Sequence, residues 1–295
     1  MSKARILLLS FTVALVMACG TTRTVPITGR TQRISVSDTE ILNLSKQEYA
    51  KYMKSARLST NSANTEMVRR VGQRLSAAVE NYLIKNGMAS ELSNYSWEFN
   101  LVADNSVNAF CLPGGKIVVY EGLLPVTQNE ASLAVVLGHE IAHAVAHHSA
   151  EQISKQQNQQ GILYGASAIA DALGVGQTAQ SIGGAVVQSG LQLRNLSYSR
   201  SHENEADHIG LILAAMAGYD PQVAVAFWQR MATQSKNGGW ALLSDHPSDS
   251  KRISNIQKWM PEALRYYKPA ASVNSQSPTT KKKASTTAKS KTKRR

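Results

Sequence analysis

One stretch constrains this chain more than any other: residues 139–143 read His-Glu-Ile-Ala-His, set among Leu133, Val136, Leu137, Ile141 and Ala144. Apolar residues at spacings of three and four predict a helix, and two imidazoles at i and i+4 on one helix face can both reach a single zinc ion. The glutamate between them can take a proton from a water activated by that ion. Chance would produce this pattern about 0.007 times in a chain of such size and composition. The apolar neighbours argue for burial, where unpaired polar groups are costly, so two solvated histidines on an exposed face do not account for it. The chain must fold so that this helix lies inside and a further ligand is brought to it.

A catalytic zinc takes three protein ligands and keeps a fourth position open. Three residues offer themselves as the third. His147 continues the i+4 series, but one more helical turn is about 6 Å, too far to share with His143 an ion held at about 2.1 Å from each nitrogen. The segment Ser199-Arg-Ser-His-Glu-Asn-Glu-Ala-Asp207 offers Glu203 and Glu205. Glu203 is followed at i+4 by Asp207, a carboxylate able to orient a ligating histidine, whereas Glu205 is followed by Ile209. Glu203 is preferred on that ground.

The ends of the chain read differently from its middle. Lys3 and Arg5 precede an apolar run from Ile6 to Met17, and Ala18 is a small residue at a cleavage point, so residues 1–18 read as an export signal. Val16-Met17-Ala18-Cys19 resembles a bacterial lipobox, which implies lipidation of Cys19 and a membrane anchor without a transmembrane helix. Gly20, by resemblance to enterobacterial lipoproteins, favours the outer membrane. Residues 19–32 are polar and Thr-rich, as in a tether between lipid and domain. The only other cysteine is Cys111, so there is no disulfide framework, and Cys111 reads as a small buried hydrophobe. The net charge of +12 is mostly terminal. Of 32 Lys and Arg, two precede Ile6 and eight lie in 281–295, leaving 22 against 20 acidic residues. A body so nearly neutral gives no basis for specific nucleic-acid binding. Residues 269–295 read as a disordered basic tail that can attract anionic envelope polymers or lipid.

Between the ends, Ser37-Asp-Thr-Glu40 is a capping-box pattern ahead of a helix to about Arg57. Val68, Val71, Leu75, Val79 and Leu83 mark a second helix, closed by Gly87. Tyr95–Val102 and Lys116–Tyr120 read as strands, with Pro113-Gly114-Gly115 as a turn. Thr127-Gln-Asn-Glu130 opens the helix that carries the paired histidines, expected to run to about His148. Further helices are expected from Asp220-Pro221 to about Gln234 and from Pro247 to near Trp259. Residues 161–190 hold glycines among apolar residues interrupted by Asp171, Gln177 and Gln180, which favours two soluble helices, able to act as a lid, over a membrane span. His148, His202 and His208 read as surface or core histidines. The class is α+β, mostly helical with a small sheet.

H-E-x-x-H followed some sixty residues later by Ser-Arg-x-x-Glu-x-x-Ala-Asp resembles the gluzincin metallopeptidase family that contains the HtpX heat-shock protease, the CAAX prenyl proteases and the bacterial envelope proteases LoiP and BepA. Val25-Pro-Ile-Thr-Gly-Arg30, Asn108 to Gly115, Gly122-Leu-Leu124, His139 to His148, Ser199 to Gly210 and His246-Pro247 fit in order, over residues 25–268. The resemblance implies a zincin-type domain at 33–268, with one Zn2+ per chain held by His139, His143 and Glu203. It also implies a catalytic Glu140, Asp207 behind the ligands, and an edge strand beside the active-site helix whose Asn108 and Ala109 pair with substrate backbone. His246 matches a family histidine that approaches the metal or the developing oxyanion, as latch or as stabiliser. Two departures are Cys111, in place of the usual small residue, and the lack of a helical-repeat domain after residue 268.

The function expected is a zinc endopeptidase of the bacterial envelope. It would be lipid-anchored and face the periplasm, hydrolysing misfolded or misassembled proteins laid out as an added strand along Asn108–Phe110 or Ile117–Tyr120. The competing readings are a chaperone-like assembly factor with a mostly latent protease centre and an envelope tether acting through the basic tail.

Overall fold

The computed structural model describes residues 20–159, 193–234, 242 and 251–269. Folded chain begins at once. Thr21–Thr24 (β1) and Thr31–Ile34 (β2) form an antiparallel hairpin with Thr21 opposite Ile34 and Thr24 opposite Thr31, where a polar tether over 19–32 was expected. Strands of four residues leave little alternation to read, and the apolar signal is confined to Val25 and Ile34, both buried. Ile27 turns the chain with φ 71°, and its N–H donates to the Tyr82 hydroxyl at 3.1 Å, tying the hairpin to the body.

Helix α1 (Asp38–Ser55) carries the expected capping box: the Ser37 hydroxyl accepts from the Glu40 N–H, and the Glu40 carboxylate accepts from the Ser37 N–H. Helix α2 (Ser62–Lys85) is capped by Asn61 and buries Val68, Val71, Leu75, Val79 and Leu83, the stripe read from the sequence. Three strands follow, β3 (Glu98–Val102), β4 (Ala109–Leu112) and β5 (Lys116–Tyr120), in spatial order β3-β5-β4. β5 is parallel to β3 and antiparallel to β4. The first of these begins at Glu98 rather than Tyr95, because Tyr95 and Trp97 stack face to face at 4.8 Å and the Ser96 N–H turns to the Gly114 carbonyl. The β4–β5 turn needs left-handed backbone at Gly114 (φ 87°) and Gly115 (φ 84°), and a Cβ on Gly115 would lie 2.4 Å from the Trp97 ring.

The central helix α3 (Glu130–Val145) is buried along nearly its whole length. Its cap is Asn129, whose side chain accepts from the Ser132 N–H at 2.8 Å. Thr127 takes no part, since its hydroxyl donates back to the Leu124 carbonyl in the preceding turn. The helix stops at Val145, short of His148, because His147 adopts φ 54°; helical backbone resumes over 148–159. Helix α4 (Arg200–Met216) is capped by Ser199, α5 (Val223–Gln234) follows, and α6 (Arg252–Tyr266) closes the described chain. α6 runs past its expected end at Trp259. Pro261 costs it the hydrogen bond to the carbonyl of residue 257, but both residues lie on the exposed side of the helix, while Ile256 and Ala263 stay buried.

α3 and α4 cross at two glycines. A Cβ on Gly138 would lie 2.7 Å from the Gly210 carbonyl oxygen, and one on Gly210 would lie 2.6 Å from the His139 nitrogen, so the backbones touch there. The architecture is α+β, with α2, α4 and the sheet packed around α3. Among the described residues no helix is long and apolar enough to cross a membrane. Segment 161–190 lies outside them.

Candidate metal centre

The crossing of α3 and α4 brings four polar side chains into the core, all at or below 5% exposure: His139 and His143 from α3, and Glu203 and Asp207 from α4. His139 Nε2 and His143 Nε2 are 3.1 Å apart. Glu203 Oε2 lies 3.4 Å from the first and Glu203 Oε1 3.5 Å from the second. Donors held at about 2.0–2.1 Å by one tetrahedral ion are about 3.4 Å apart, so these spacings fit a small metal ion. Two imidazoles and a carboxylate suit the chemistry of zinc. Among the described residues this is the one group of three His, Cys, Asp or Glu side chains able to hold a metal.

Asp207 lies behind His139, accepting from its Nδ1–H at 2.9 Å, which leaves Nε2 to face the other donors. Burial alone would lower the His139 pKa, but the hydrogen bonds and charges of Asp207 and Glu203 outweigh it and push the pKa up to about 10. The same negative field favours a divalent cation. Arg252 of α6 balances it from the far side. Its Nε donates to Asp207 Oδ2 at 2.6 Å and its Nη2 to Glu203 Oε2 at 3.1 Å, while the guanidinium lies 4.0 Å over the Trp228 ring of α5. Tyr198 stacks on the His143 ring at 4.1 Å and shares a hydrogen bond with Ser149 at 2.8 Å. Nothing in the sequence marks Arg252, Trp228 or Tyr198. Arg252 and Trp228 reach the site from segments with no spacing relation to the motif, and Tyr198 stands one residue before the Ser199 cap.

Glu140 is buried beside the paired histidines, at 2% exposure. Burial pushes the Cys111 thiol of β4 well up, and the Glu140 carboxylate adds to this, so Cys111 is a neutral thiol and no nucleophile. Asn108 and Ala109 stand at the start of β4. The Tyr120 N–H donates to the Asn108 carbonyl at 3.1 Å, which makes that pair a hydrogen-bonded one and turns the Ala109 N–H and C=O away from β5. The Ala109 N–H meets the Asn108 side-chain oxygen at 2.8 Å. β5 is paired on both sides, so Ile117–Tyr120 has no free edge for a substrate, contrary to one of the two expected docking strands.

The remaining candidates lie elsewhere. Glu205 turns from the ligand atoms toward Thr28, Arg30 and His148. His147 Nε2 is 3.3 Å from Glu91, His202 pairs with Glu151 at 3.2 Å and His208 with Glu262 at 2.7 Å. His148 and His202 are both buried, stacked at 4.5 Å. His246 and Cys19 lie outside the described residues.

A helix carrying H-E-x-x-H, crossed by a second helix carrying a glutamate and bordered by a three-stranded sheet, defines a metallopeptidase domain of the zincin type. The chain belongs to peptidase family M48, whose sequence model matches residues 69–260. It is 42% identical over 176 residues to the mitochondrial metalloendopeptidase OMA1 of Schizosaccharomyces pombe, covering 59% of this chain and 50% of that one. With the mitochondrial metalloendopeptidase OMA1 of Homo sapiens it shares 32% over 261 residues, 81% of this chain and 46% of the relative. With the beta-barrel assembly-enhancing protease of Yersinia pestis it shares 30% over 164 residues, 55% of this chain and 34% of the relative. The chain spans about half the length, or less, of the curated relatives it matches.

Proposed function

We propose that this chain is a zinc endopeptidase in which His139, His143 and Glu203 hold one ion, Glu140 is the general base and Asp207 orients His139. The observation that carries the reading is the convergence of two imidazole nitrogens and one carboxylate within 3.5 Å in the core, with Glu140 next to the first ligand on the same helix. When bound, zinc supplies Lewis acidity that makes a water acidic and polarises a peptide carbonyl. Glu140 takes the proton of the attacking water and returns it to the leaving amine. Asp207, accepting from His139 Nδ1–H, keeps Nε2 turned toward the other ligand atoms. β4 offers the outward N–H and C=O of Ala109 to an extended substrate, with the Asn108 amide swinging off that N–H as the chain docks; recognition then rests on backbone and is broad.

The proposed setting is the bacterial envelope, with lipidated Cys19 as anchor and misfolded or misassembled proteins as substrates. The lipobox-like leader supports it, as does similarity to a beta-barrel assembly-enhancing protease; the similarity to mitochondrial endopeptidases is shared through the catalytic domain and does not bear on the anchor. His246 is proposed to act at the same site, as latch or as oxyanion stabiliser.

The test is hydrolysis of casein by purified residues 20–295, beside Glu140→Gln, with zinc measured on both. Cleavage by the wild type that falls about 10²–10⁴-fold in a variant still holding one zinc is the expected result. A chain that binds zinc but cleaves nothing would favour a latent, chaperone-like role, and a chain without zinc would remove the metal site.

A further inference from the structure

A second buried polar cluster lies behind His143. His143 Nδ1, the ring nitrogen facing away from the other ligand atoms, is 2.9 Å from His148 Nδ1. His148 has no exposed surface, and its Nε2 is 3.0 Å from Glu205 Oε2. Glu205 is anchored in turn. Its Oε1 accepts from the Thr28 hydroxyl at 2.6 Å and its Oε2 from Arg30 Nε at 2.7 Å. The Arg30 guanidinium continues to Glu151 at 2.7 and 3.2 Å. Thr28 and Arg30 belong to the turn of the amino-terminal hairpin, which precedes residues 69–260 matched by the family's sequence model.

The proton count along this chain has one solution compatible with a metal at His143. Glu205, as a carboxylate, can only accept, and both its oxygens already do so, so the hydrogen between it and His148 sits on His148 Nε2. A neutral His148 then presents a lone pair at Nδ1. The hydrogen in the 2.9 Å contact between the two rings must therefore belong to His143 Nδ1, which leaves His143 Nε2 bare on the side of His139 and Glu203. We infer that His148 and Glu205 are positioning residues that set the tautomer and ring orientation of His143 through a relay anchored by Thr28 and Arg30 of the hairpin. His139 is oriented by a carboxylate directly, through Asp207; His143 is oriented by one at a distance of one imidazole. This inference rests on the reading of His139, His143 and Glu203 as ligands. It also gives the hairpin a role in the site, and it explains how two glutamates two residues apart on α4 divide the work, one to the ion and one to the relay.

Long-range proton–nitrogen NMR of the imidazoles in the zinc-loaded protein tests the relay without any substitution. His148 is expected protonated at Nε2 and bare at Nδ1, with His143 protonated at Nδ1; a proton on His148 Nδ1 overturns the inference. Zinc competition against a chromogenic chelator, and the visible bands of the cobalt-substituted protein, then test its consequence. His148→Leu is expected to weaken metal binding about 10–100-fold and to change the cobalt spectrum. His148→Asn, whose amide oxygen can stand where Nδ1 stands, is expected to restore most of both. Wild-type affinity and an unchanged spectrum in His148→Leu would overturn the relay while leaving the ligand set intact. Full zinc retention by His143→Ala would instead overturn the ligand assignment itself.

Discussion

Arg252 shows how much of this site rests on single residues that carry no motif. Its guanidinium is buried at 3% exposure, bonded to Asp207 and Glu203 and stacked on Trp228, so it is the counter-charge that lets two carboxylates sit side by side in the core. Arg252→Met keeps much of the aliphatic volume over Trp228 and removes both ion pairs, leaving two buried carboxylates with His139 as their remaining counter-charge. Urea unfolding of the metal-free protein is expected to show a loss of about 3–5 kcal/mol; a change below about 0.5 kcal/mol would mean that the carboxylates are not charged in the fold. At this scale the sequence was legible where chemistry imposes a spacing. His139 and His143 had to be i and i+4, and Glu203 was separable from Glu205 by Asp207 one turn on. Arg252, Tyr198 and Trp228 were not legible, because a contact across the fold imposes no periodicity on the chain.

The decisive feature among the elements is the contact of α3 with α4 at Gly138 and Gly210. Gly210→Ala would place a methyl 2.6 Å from the His139 backbone nitrogen, against backbone that cannot rotate away. The helices would have to part, carrying Glu203 and Asp207 away from His139. Expected are a stability loss of about 1–3 kcal/mol by thermal or urea unfolding and a fall in zinc retained after dialysis against chelator. An alanine variant with unchanged stability and zinc content would show that the crossing has slack. Helices with a continuous apolar stripe, α2 and α3, were readable, as were the β4–β5 turn and the Ser37 start. The misreadings share a cause: local signals were overruled by packing. Thr127 bonds backward into the preceding turn, His147 breaks the helix that its own apolar neighbours would continue, and Pro261 is passed over on the exposed side while Ile256 and Ala263 hold the helix to the core.

Across the molecule, the hairpin, the segment 148–159 and α4 are joined by a charged network that includes Arg30, Glu151, His148, His202, Lys155 and Glu205. Burial alone would raise the Glu151 pKa, but His202, Arg30 and Lys155 outweigh it and hold the carboxyl well below the usual range; Glu205 is likewise lowered, to about 2, against burial, by His148, Thr28 and Arg30. A carboxylate whose pKa is depressed by folding contributes stability above its unfolded value, and loses that contribution as pH falls below it toward the folded value. His148, whose pKa burial lowers to about 4, adds a loss that begins below about pH 6.5, so the melting temperature is expected to decline gently from there and to drop by about 5 °C or more between pH 4.5 and 3. Glu151→Gln, less stable at neutral pH, is expected to show a shallower acid limb; parallel limbs in the two proteins would place the acid sensitivity elsewhere.

The sequence by itself determined the chemistry: a helix with two imidazoles on one face, a glutamate between them, and a carboxylate pair one turn apart some sixty residues on. These are local facts, because a helix converts spacing directly into direction. Tertiary structure alone decided that Glu205 turns to the hairpin, that β5 is closed to a substrate by pairing on both sides, and which arginine balances the charge. Those depend on where separate segments cross in space, and in this fold that is set by two glycines that let two helices touch.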